Sequence, residues 1–141
     1  MKAGHKMDKK NIKGQIHNAM YQNIRKKGWV APVDVLLDIG VLSKENYENW
    51  RGGKVPFLEK VCQVNLKQLS EIMHEMRSYA TKNNLKPSWT FYHQSGKNKD
   101  RALRFSKSGD EAIERHYATH FVDSKRIAEL KKPAEGSEDK E

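Results

Sequence analysis

The chain of 141 residues carries a formal net charge of +9, with 36% hydrophobic residues, 32% charged residues and one cysteine. That length accommodates one domain with its own core, the lone Cys62 excludes an internal disulfide, and with no run of about 18 apolar residues there is no membrane-spanning helix to expect. The basic N-terminus is followed by no apolar block, so the expectation is a cytoplasmic protein without a secretory signal.

The positive charge is segregated. Residues 1–27 hold eight Lys/Arg against one acid, 28–81 six against seven, 82–107 seven against one, and 108–141 six against nine. Two basic blocks thus flank a neutral centre, a distribution suited to polyanions, because releasing condensed counterions from phosphates drives binding whatever the sequence. The same lysines would also serve solubility alone.

Residues 1–11, polar and lysine-rich, read as a mobile basic arm. Over 12–27, Ile12, Ile16, Ala19, Met20 and Ile24 recur at helical spacing, and Arg25-Lys26-Lys27 complement the carbonyl end of that helix before Gly28 stops it. Trp29-Val30-Ala31 reads as a buried connection or a brief strand, and Pro32 opens the next helix with Asp34 in its first turn. Gly40 ends that helix. Ser43 caps another, whose Tyr47 and Trp50 share a face and which closes on Gly52-Gly53, and Pro56 is placed to open one more.

Asn65 and Gln68 form a capping box, with Val64 and Leu69 as the staple, so a long helix is expected over 66–83. Its stripe of Leu66, Leu69, Ile72, Met73, Met76, Tyr79 and Ala80 packs into a core or serves as a homodimer seam. After Pro87 the residues become strand formers: Trp89-Thr90-Phe91-Tyr92 and Ala102-Leu103-Arg104-Phe105 predict a hairpin over 89–105 with a basic tip. Ser108-Gly109-Asp110-Glu111 reads as a second capping box opening a helix over 109–122, and a short helix with Ile127 and Leu130 follows Asp123. Residues 132–141 read as a disordered acidic tail.

Gly40, Val41, Ser43, Trp50, Gly53, Pro56, Leu58 and Val61 resemble the helix-turn-helix of phage-repressor-type DNA-binding domains, over about residues 36–69. The resemblance implies a helix over 44–51 lying in the major groove, with Lys44, Asn46 and Asn49 at base edges and Arg51 and Lys54 on phosphates. The hairpin resembles the wing of winged helix domains, which implies that Lys97, Lys99, Arg101 and Arg104, with Lys107, touch phosphates or the minor groove. Glu45 and Glu48 on the same short helix would be repelled by phosphate, although glutamate can accept from a cytosine amine.

The expected fold is therefore mainly α with a small β-hairpin (α+β): a helix-turn-helix-like part over 33–62, the long helix, a wing-like hairpin and a C-terminal helix. The expected function is non-catalytic binding of nucleic acid, duplex DNA ahead of RNA, as in a transcriptional regulator. Two other readings stay open: an RNA or single-strand binder that stacks bases on Trp89, Phe91 and Tyr92, and a protein-interaction module using the long amphipathic helix. His116 and His120, four apart, have a spacing that can share a metal, with Glu114 and His93 nearby, but no HExxH motif occurs and no cysteine is near. Neither metal nor cofactor is expected. Without a phosphate loop or nucleophile elbow, an enzyme, such as a small histidine-dependent nuclease, is the least supported class.

Overall fold

The computed structural model describes residues 9–96 and 99–132. In chain order its elements are α1 (Lys9–Lys27), β1 (Trp29–Val30), α2 (Pro32–Asp38), α3 (Lys44–Arg51), a 3-10 turn (Leu58–Val61), α4 (Leu66–Lys82), β2 (Lys86–Trp89), α5 (Glu111–Ala118), β3 (Thr119–Val122) and α6 (Ser124–Lys131). The fold is mainly helical with a small antiparallel sheet in the order β1-β3-β2. Among the described residues no helix is long and apolar enough to cross a membrane.

α1 is the platform of the N-terminal half. Ile16, Ala19, Met20 and Ile24 are buried on its inner face, and α4, α2 and α6 pack around it. Polar pairs brace these contacts: His17 Nε2 lies 2.6 Å from Glu75 Oε2 on α4, and Asn23 donates to Asp38 on α2 at 2.8 Å. Arg126 of α6 donates to the Arg25 carbonyl at 2.8 and 3.0 Å, satisfying one of the orphan carbonyls at the end of α1. Gly28 has a φ of +85°, and a Cβ there would stand 2.4 Å from an Ile127 carbon, so both the turn and the docking of α6 require glycine. The helix begins at Lys9 and takes in the end of the segment expected as a mobile arm. The rest of that arm, and the tail from residue 133, lie outside the described residues.

α2 and α3 form the helix, turn and helix that the sequence announces. Asp34 accepts from the Ala31 amide at 2.9 Å and from Lys27 Nζ at 2.8 Å. At the turn Val41 and Leu42, both fully buried, donate their amides to the Leu36 carbonyl, and Ser43 Oγ accepts from the Asn46 amide at 3.1 Å to start α3. Pro56, however, opens no α-helix. It is exposed, and only the 3-10 turn follows, because the Leu58 and Glu59 amides donate to the Arg104 and Phe105 carbonyls at 3.1 and 2.9 Å. The segment that carries Arg104 and Phe105 is held along the turn.

α4 has the expected capping box at Asn65 and Gln68 and buries Leu69, Ile72, Met73, Met76 and Ala80. Leu66 is 56% exposed and so does not belong to the buried stripe. The expected strand pairing is corrected. β2 pairs with β3, from Lys86 opposite Val122 to Trp89 opposite Thr119, and not with residues 102–105. Of the expected 89–105 hairpin only a short arm remains: one bridge between His93 and Ala102, with the Leu103 amide donating to Tyr92 and the Gln94 amide to Arg101, each at 2.8 Å. The expected helix over 109–122 ends early. Asp110 rather than Ser108 caps α5, accepting from the Ile113 amide, and α5 stops at Ala118 where Thr119 Oγ1 donates to the Arg115 carbonyl. From there β-branched Thr119 and Val122, with Phe121, form the central strand, bonded to β1 on one side and β2 on the other.

Trp50 joins these parts. It is fully buried, its indole N–H donates to the Arg104 carbonyl at 2.8 Å, and its ring lies 5.0 Å from that of Phe105 and 5.8 Å from that of Tyr92. Phe105 stacks on Tyr117 at 5.3 Å, and Tyr117 donates to Glu59 Oε2 at 2.8 Å. Trp50→Ala should therefore lower the unfolding free energy by about 3–5 kcal/mol in urea denaturation, and Trp50→Phe by less. A loss below about 1 kcal/mol for the alanine variant would show that the indole does not hold the two halves together.

Candidate nucleic-acid interface

The outward side of α3 consists of Lys44, Glu45 and Glu48, one cation against two carboxylates. Asn46 and Asn49 are half-buried, and Asn46 Nδ2 turns toward the Val61 carbonyl at 3.4 Å. Asn46 precedes Trp50 by four residues and so lies on the same side of the helix as the buried indole. Lys54 is exposed just past the helix end. Arg51 points elsewhere, into a cleft, with Nη1 3.4 Å from the Tyr47 hydroxyl and its guanidinium 5.7 Å from the centre of the Tyr92 ring.

Past β2 the chain stays extended, and its side chains alternate in direction. Tyr92 faces inward against Trp50 and Phe105, its hydroxyl 2.9 Å from His120 Nε2, and burial holds its pKa above the usual tyrosine value. Tyr92 is thus no part of an exposed base platform, contrary to expectation. Trp89 and Phe91 do lie outward: they are 49% and 64% exposed, with ring centres 4.5 Å apart, and the Phe91 and His93 ring centres are 6.1 Å apart. Arg115, from α5, lies 5.1 Å above the Trp89 ring. Lys99 and Arg101, in the turn beyond, are exposed, whereas Lys97 lies outside the described residues. Ser95 fastens this turn to α3, donating through its amide and its hydroxyl to the Arg51 carbonyl at 2.8 and 3.1 Å. Arg104, also expected at phosphates, directs Nε to the Ser106 carbonyl at 2.8 Å and Nη2 to the Lys107 carbonyl, so its donors serve its own loop.

Between β1, α3 and the extended segment lies an open cleft of about 610 Å³, bordered by Trp29, Tyr47, Arg51, Phe91, Lys99 and His120. Its floor is a stacked pair, Trp29 and His120, 4.7 Å apart with 10° between their planes. Lys27 Nζ sits 3.9 Å over the Trp29 ring while bonded to Asp34. Burial lowers the His120 pKa; Asp34 opposes this and Lys27 adds to it. His116 is not a partner of His120, since the end of α5 separates them, and it lines grooves beside Arg77 instead. Among the described residues no group of three or more His, Cys, Asp or Glu is placed to hold a metal ion.

No local pattern points to this cleft, because Trp29 and His120 meet only through the pairing of β1 with β3. Arg115 was equally hidden, since its approach to Trp89 follows from the pairing of β2 with β3. No family model, curated protein or solved structure matches the chain, so the likeness to phage-repressor-type domains rests on the motif residues alone.

The depressed histidines make stability depend on pH. His120, facing Tyr92, Trp29, Asp34 and Lys27, and His116, lowered by burial and then by Arg77 with Asp110 opposing, bind protons less readily folded than unfolded. Their contribution is complete above the unfolded value of about 6.5 and is lost as pH falls through it toward the lower folded values. Urea denaturation should show His120→Gln to be less sensitive than the parent to a fall from about pH 7.5 to about pH 5.5. Equal sensitivity of the two proteins would contradict the burial assigned to His120.

Proposed function

We propose that the protein binds nucleic acid without catalysing a reaction on it, and that it holds an unpaired strand on the outward aromatic file. The observation that carries this is the exposed row Trp89, Phe91 and His93, in which the Phe91 ring neighbours the other two, with Arg115 over one end and Lys99 and Arg101 beyond the other. Two large aromatic rings side by side in water are costly unless something covers them, and a base can stack on either whatever its identity. The neighbouring cations supply the phosphate contacts that a strand requires.

Duplex reading through α3 keeps the support of its helix-turn-helix order and the Ser43 cap. The two carboxylates on its outward side and the turned-in Asn46 weigh against it. A cytoplasmic location belongs to the same proposal.

Binding of a short oligothymidylate should weaken steeply as salt rises. Trp89→Ala and Phe91→Ala should each weaken it by about 5- to 150-fold, while Lys44→Ala and Asn49→Ala leave it within about twofold. If the α3 variants instead impair binding to a duplex and the aromatic variants change nothing, the duplex reading replaces this one.

A further inference from the structure

We infer that the cleft beside the aromatic file is a pocket for one unstacked nucleotide, with its ring among the aromatic walls and its phosphate on Arg51. Two observations lead there. The first is an unbalanced cation: Arg51 is half-buried, its Nε is buried with no hydrogen-bond partner, and Nη1 has only the 3.4 Å contact to Tyr47. Among the described residues no carboxylate forms an ion pair with it, while the one carboxylate in the cleft, Asp34, is already engaged by Lys27. A guanidinium partly withdrawn from water without a counterion is unfavourable, and an anion entering the cleft would relieve that cost. Lys99 stands at the same cleft with a second positive charge.

The second observation is the wall. Trp29, Tyr47, Phe91 and His120 present rings to a space of about 610 Å³, within the range of roughly 300–1,000 Å³ typical of small-ligand sites. A planar ring together with an anion within one span describes a nucleotide, and Arg is the side chain suited to both phosphate and ring faces. Phe91 belongs to the outward file and to the cleft, so a strand stacked outside could turn one nucleotide in. That route rests on the strand-binding proposal. A free nucleoside monophosphate carries the same chemistry and needs no strand.

Titration calorimetry of the full chain with adenosine 5′-monophosphate, inorganic phosphate and an oligoadenylate separates these cases. The monophosphate should bind, more tightly than phosphate, and Arg51→Gln should weaken it by about tenfold or more. Lys99→Gln should weaken it less, and Lys125→Gln, at an exposed position of α6 outside the cleft, should leave it unchanged. Arg51→Lys, which keeps the charge and loses the fork, should fall between the parent and the glutamine variant. Thermal melts identify any variant that has lost its fold. The pocket is refuted if folded Arg51→Gln and Arg51→Lys proteins bind both the monophosphate and the oligoadenylate as the parent does, or if phosphate alone binds as tightly as the monophosphate. Oligoadenylate binding that depends on Trp89 but not on Arg51 would remove the pocket and keep the strand reading. Monophosphate binding without oligonucleotide binding would keep the pocket and remove the strand.

Discussion

The hydrogen bond from the Trp50 indole to the Arg104 carbonyl is the constraint on which the C-terminal half depends. A buried indole N–H must find an acceptor, and here the acceptor lies 54 residues away, so satisfying it draws the 103–106 segment against α3. The 3-10 turn then bonds to that same segment, and Glu114 completes the arrangement by accepting from the Phe105 and Ser106 amides at 2.9 and 2.6 Å. With Phe105 packed between Trp50 and Tyr117, Tyr92 must face inward to meet it, and the alternation of an extended chain sends Phe91 outward. The exposure of the aromatic file is thus a consequence of how Trp50 is buried.

Features set by neighbours in the chain were legible in the sequence. The Ser43 cap, the Asn65–Gln68 box, the glycine stop at Gly28 and the buried face of α4 each depend on residues within a few positions of one another. Features set by distant partners were not. Residues 89–92 and 102–105 look like two arms of one hairpin, but Trp50 and the 3-10 turn engage the second arm, leaving the edge of β2 to β3. The helical spacing of His116, Tyr117, His120 and Phe121 is equally persuasive locally, and it yields at Thr119 because Thr119–Val122 pair with β2, and Phe121 and Val122 with β1 as well. For the site, the basic character of the 99–101 turn was readable, while the inward turn of Arg51 and the self-contained bonding of Arg104 required the tertiary fold.

One lysine of each basic block comes near the cleft. Lys99, of the second block, borders the cleft into which Arg51 points, and Lys27, which closes the first, sits over the Trp29 ring that borders it. Asp34 neutralises Lys27, so the net attraction there comes from Arg51 and Lys99. The short helix α3 contributes its last residue to this region while its outward side stays acidic. Under the proposed strand reading, recognition would rest on ring stacking and charge, with little reading of base edges.

Backbone amide chemical shifts of the isotopically labelled chain, followed as a short oligothymidylate is added at low salt, distinguish a strand held on the aromatic file from one held elsewhere. The largest changes should fall at Trp89, Phe91, His93, Lys99, Arg101 and Arg115, with Lys44, Glu45 and Glu48 nearly still. Changes concentrated on Lys44, Asn46 and Asn49, or on the outer face of α4, would contradict it.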